Sequence, residues 1–247
     1  MLDVHPPQHT PHGWRDFFIH IATIVIGLLI AVGLEQTVEA IHRHHERAEL
    51  RESLRTETEE IFKDATDTEN RKLIHIAWLD RRIAQVKSAL QQQQPLPPPE
   101  ALQYPPYQFA DDPIWRAAKV SGQAALLPPE EVNAYSEVEL TTSGVAVSHA
   151  EEENTRGKLH SFEDSLPTGP GGVTDWAHLS PADLRTYLGL LNDNRQAVQL
   201  YRNWTLRALA TEDCIRRGDW KLRDIFATEA RFVAAAHIVD EPPVRHS

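Results

Sequence analysis

The sequence predicts an all-α fold: one N-terminal transmembrane helix that continues into a long helix packed in a helical bundle. Three observations predict it. From Phe17 to Leu34 run 18 residues without a formal charge, interrupted only by the polar side chains of His20 and Thr23. As a helix this run is about 27 Å long, close to the ~30 Å hydrocarbon core of a bilayer. Residues 35–90 then contain no proline and no glycine, so nothing breaks the helix. Finally, apolar residues in the later segments recur every three or four positions, the rhythm of a helix with one buried face.

The chain divides accordingly. Residues 1–13, with three prolines and three histidines, form a disordered tail. Residues 14–36 are the anchor. A cleaved signal peptide is the rival reading, with Val38-Glu39-Ala40 as the cleavage site. Against it, the n-region carries only Arg15, and the 18-residue apolar run exceeds the usual h-region. Residues 37–90 form the juxtamembrane helix, with Leu73, Ile76, Leu79, Ile83, Val86 and Leu90 as its buried stripe. Between 42 and 70 the stripe is thin, with Leu50, Leu54, Ile61, Phe62 and Ala65, which predicts a stretch that is more exposed or packs on only one neighbour.

Residues 91–112 break the pattern. Gln91–Gln94 and the prolines that follow predict an extended connector, with Tyr104-Pro-Pro-Tyr107 inside it. Residues 113–239 form the helical bundle, completed by packing on 50–90. Asp112-Pro113 is a helix start, and Gly122 ends that short helix. Pro129 opens a helix to about Leu166, although Thr141-Thr142-Ser143-Gly144 admits a strand. Thr168–Gly172 is a turn, since no Lys-Ser/Thr follows it to hold phosphate. Ser180-Pro181-Ala182-Asp183 starts a well-patterned helix, and Gly218 separates it from a last one holding Trp220, Ile225, Phe226 and Phe232. Residues 240–247 form a second disordered tail.

Composition narrows the function classes. The net charge is −11; with Arg15, Asp3 and Asp16 set aside, 24 basic and 34 acidic residues remain. That sign argues against nucleic acid as a partner. The single cysteine, Cys214, rules out an intrachain disulfide and reads as a small core residue. No G-x-S-x-G, H-E-x-x-H or paired C-x-x-C occurs, so no catalytic residue and no cofactor is assigned.

Several constellations remain as candidates. Thr23, Gly27 and Ala31 fall at i, i+4 and i+8, a small-residue face suited to self-association of spans. His42, His45 and Glu46 share a helix face and form the densest metal-ligand-like cluster. Glu39-x-x-His42 supplies only one half of a di-metal motif, and no second Glu-x-x-His exists, so they read as interfacial polar residues. Arg47 and Arg51 have no acid at i±3 or i±4, which points to partners on another helix or chain, with a solvated charged face as the alternative. His149 with Glu152 and Glu153 reads as a solvated acidic face.

The segment GLLIAVGLEQ at 27–36, preceded by WRDFFIH and followed by a His/Arg-rich helix, resembles a group of uncharacterised bacterial single-span proteins. Trp115, Ala118 and Gly122, with Tyr135 in the next helix, are similar too. The resemblance implies a bacterial membrane protein and brings no activity. The expected function is a membrane-anchored interaction, sensory or scaffold module without catalysis. The alternative is a membrane-tethered enzyme with a histidine-containing, metal-dependent site. The expected location is the inner membrane, with the bilayer contacting residues 17–34 and a homo-oligomer or another membrane protein as partner. Arg43, Arg47 and Arg51 outnumber Arg15 and the α-amino group, which favours a cytoplasmic C-terminal domain.

Overall fold

A computed structural model describes residues 13–102, 111–169 and 171–240, with side chains described to residue 235. Five α-helices are present among the described residues: α1 Gly13–Gln92, α2 Pro113–Ser121, α3 Pro129–Ser165, α4 Pro181–Arg217 and α5 Leu222–Asp240. The only β pairing there is an isolated bridge, Thr168 to Thr174. The fold is all-α, and the Thr141–Gly144 stretch lies inside α3. The chain forms two compact units, Met1–Glu49 and Leu50–Ser247. The tail 1–12, the Tyr104–Tyr107 motif and residues 241–247 lie outside the described residues.

In the first unit the helix satisfies its own polar side chains. The Thr23 hydroxyl donates to the Ile19 carbonyl at 2.8 Å, Thr37 donates to Gly33 O at 2.7 Å, and His20 Nδ1 lies 3.0 Å from Asp16 O. Each bond is local, from a side chain to the carbonyl one turn earlier. Trp14, Phe17 and Phe18 cluster at its start, with ring centroids 5.8–6.1 Å apart. The helix is long and apolar enough to cross a membrane, and none of its most apolar 18-residue window is buried within the protein.

The second unit is held by α1 from Leu50 onward together with α2–α5. Arg51 pairs with Glu131 and Lys72 with Glu152, both 80 residues apart. A constant offset means that α1 and α3 run parallel and in register. Arg202 pairs with Glu69, and Arg195 with Asp80, so α4 runs antiparallel to α1. One apolar core gathers Ile76, Leu79, Ile83 and Val86 of α1 around Leu159, Trp176, Tyr187 and Leu191. A second gathers Leu50, Leu54 and Ile61 around Trp115, Tyr135, Cys214 and Ile225. Trp115 is fully buried, and truncating such a side chain costs about 3–5 kcal/mol.

Local signals worked where their chemistry is local. Asp183 N donates to Ser180 Oγ at 3.1 Å and Ser180 N to Asp183 Oδ2 at 3.2 Å, a complete capping box on α4. Gly218 ends α4 at φ 79°, a left-handed conformation that only glycine adopts without strain. Gly144 answers a different demand: a Cβ there would sit 2.4 Å from the Trp204 ring, so glycine lets α3 and α4 approach closely.

Tertiary packing adds to the local reading in three places. The thin stripe of 42–70 is buried from Leu50 on, and Glu57, Thr58 and Thr68 fill it out beside Leu54, Ile61 and Ala65, so polar residues occupy core-facing positions. After Gln93 the described part of the connector has no regular secondary structure and packs back on the bundle. Leu96 is 2% exposed within the first core, and Pro97 O and Glu100 O accept bonds from Arg82 and Trp78. Asp112 stands at the α2 N-cap but its side chain caps nothing. Glu57 of α1 does so instead, accepting Ile114 N at 2.7 Å and Trp115 N at 3.2 Å.

Candidate functional site, a buried polar layer

Along α1 the apolar stripe stops at Ala65 and resumes at Ile76, and in the gap stand Thr68, Lys72 and His75. Lys72 and His75 are one helical turn apart on a face that apolar residues otherwise occupy. The parallel register brings α3 alongside, so Glu152 meets both of them. Its Oε2 accepts from Lys72 Nζ, and its Oε1 lies 3.2 Å from His75 Nδ1. Glu152 is 1% exposed. From α4, Tyr201 places its ring 4.1 Å beneath the Lys72 ammonium, and His149 of α3 packs on that ring at 5.7 Å. Flanking bonds close the layer: Asn194 donates to Thr155 at 3.0 Å, and Arg202 Nε to Glu69 at 2.8 Å.

The electrostatics follow from burial and charge pairing. Burial acts to raise the Glu152 carboxyl, but the His75 contact and the Lys72 charge outweigh it and hold the group at about 2. Burial pulls the Lys72 ammonium below its ordinary value against the attraction of Glu152. Burial likewise lowers His75, against its contact with Glu152. An ion pair in an apolar core contributes little net stability, yet losing one partner strands the other charge. Here the pair ties α1 to α3, and the Tyr201 ring brings α4 against the same ammonium.

A second buried group lies toward the other core. Glu212 of α4 is 0% exposed. Thr58 is its hydroxyl neighbour, but neither carboxylate oxygen accepts a well-aligned bond. Burial and the nearby Glu57 and Asp112 charges push this carboxyl well above its ordinary range, with Arg216 opposing.

The structure disperses the sites expected from sequence. Thr23, Gly27 and Ala31 are exposed on one helix face, and a Cβ on Gly27 would meet nothing within 4 Å. His42 Nε2 lies 3.0 Å from Glu46, both exposed or nearly so, and His45 stands beside them on the surface. Among the described residues no group of three or more His, Cys, Asp or Glu side chains is arranged to hold a metal ion. Arg47 is half-buried. Arg51 makes a two-pronged bond to Glu131 at 2.5 and 2.9 Å, so its partner lies within its own chain. Cys214 is fully buried in the second core. Glu152 is the clearest correction: it belongs to the interior, not to a solvated face. Helical periodicity places Tyr201 on the buried side of α4, but sequence reasoning missed Lys72 and His75, although a lysine and a histidine at stripe positions were a signal in plain view. Comparison with protein-family models, with curated proteins and with solved structures gives no match.

Proposed function

We infer that this is a single-span protein of the bacterial inner membrane, whose C-terminal domain is a helical interaction, sensory or scaffold module without catalytic activity. The observation that carries the reading is the apolar run of α1. Phe17, Phe18, Ile24, Leu28, Leu29 and Leu34 are each more than half exposed, in a chain that buries its other apolar stripes well. Water is a poor solvent for such a surface, and a bilayer is a good one. The resemblance of residues 27–36 to bacterial single-span proteins supports the same compartment. The arginine count supports a cytoplasmic domain, and the small-residue face supports a homo-oligomer.

Alkaline carbonate extraction of membranes tests the span: the protein stays in the pellet, and release into the supernatant refutes the reading. An intact C-terminal alkaline phosphatase fusion is expected to be inactive; strong activity places the domain outside the cytoplasm. In mild detergent, light scattering is expected to give a dimer or larger that Gly27→Leu weakens. A strictly monomeric mass at high concentration counts against association. Stoichiometric zinc or iron, lost on changing His42 and His45, overturns the non-catalytic reading.

A further inference from the structure

A cavity of about 520 Å³ opens between α1, α4 and α5 of the second unit. Its apolar wall is built from Leu73, Leu206, Phe232 and Ala235. Charged side chains line the rest, in a pattern unlike the chain as a whole. The net charge of the protein is −11, yet this cavity has three arginines against two carboxylates. Arg202 is bonded to Glu69 at 2.8 Å and Arg217 to Asp213 at 3.2 Å, so two of the three are matched. Arg231 is the third. Its guanidinium donates to Thr228 Oγ1 at 2.8 Å and to Ala227 O at 3.4 Å, both neutral acceptors, and it meets no carboxylate among the described residues.

We propose that this cavity binds a long-chain fatty acid, with its carboxylate on Arg231 and its chain along Leu73, Leu206, Phe232 and Ala235. The volume falls in the range of small-molecule sites, which combine an apolar lining with a few placed polar groups. One guanidinium left without an acid fits one monoanionic head, because its fork of donors matches a carboxylate. One apolar wall fits one chain. The site lies wholly within residues 50–247, so the proposal stands whether or not the apolar run crosses a membrane.

The test uses the full chain in amphipol, free of lipid, with a diazirine-bearing palmitate as probe and peptide mapping after illumination. Label is expected on peptides containing Leu206 and Phe232, displaced by excess palmitate. Arg231→Gln is expected to lower that label about tenfold, the weight of one charge-assisted hydrogen bond. Ala235→Trp changes an exposed position, so it leaves the core intact while filling the cavity, and it should also abolish the label. Thermal melts check that both variants fold. Label confined to residues 17–34 overturns the proposal. So does labelling unchanged in both variants, or a methyl-ester probe that labels the cavity as strongly as the acid.

Discussion

Replacing Glu212 by glutamine should change how stability depends on pH while leaving the fold in place. The carboxyl is fully buried, has no cation bonded to it, and shares its surroundings with Glu57 and Asp112. Its protonated form is therefore the one the fold prefers. In the unfolded chain the same group ionises near its ordinary value of 4.5. A group raised on folding stabilises fully below that unfolded value, and its contribution is lost as pH rises toward the folded one. Within that window the loss approaches about 1.4 kcal/mol per pH unit, the full linkage slope of one proton. Glutamine has nearly the same shape and cannot ionise, so Glu212→Gln removes that slope. The assay is urea unfolding of the full chain in detergent at several pH values from 5 upward, followed by tryptophan fluorescence. Other buried acids titrate in both proteins, so the difference between the two curves isolates Glu212. Wild type should lose stability relative to the variant as pH rises. Two curves that stay parallel would refute the reasoning, because Glu212 would then not be held protonated by the fold.

Two further outcomes follow from the packing of α1, α3 and α4. Lys72→Met leaves the Glu152 carboxylate buried without its cation and should cost about 3–5 kcal/mol, with much of that recovered in Lys72→Met/Glu152→Met. Urea midpoints of the two variants check it, and a double variant no better than the single one argues against the ion pair. Gly144→Ala drives a methyl into the Trp204 ring and should cost about 1–3 kcal/mol, with a changed near-ultraviolet circular dichroism signal from the displaced indole. A neutral effect there means that the α3–α4 approach is looser than the structure has it.

What the sequence by itself determined is what depends on near neighbours. The apolar run 17–34, the unbroken helix after it, the Ser180–Asp183 box and the Gly218 stop each act within a few residues of chain. Hydrophobic periodicity then named most of the buried faces of α1, α3 and α4. Tertiary structure decided the rest, and the polar interior most of all. The partners of Arg51 and Lys72 stand 80 residues away, and that of Arg202 stands 133 away. Nothing in the helical spacing of Glu152 distinguishes an acid facing solvent from one facing Lys72. Asp112 takes the N-cap position of α2 as its local sequence indicates, but the carboxylate that accepts the first amides is Glu57, from another helix. Leu96 looks like a connector residue until Arg82 and Trp78 draw the chain back over the first core. Burial of a charge depends on which elements meet, and they meet only once the register of α1 against α3 and α4 is set by the whole interface.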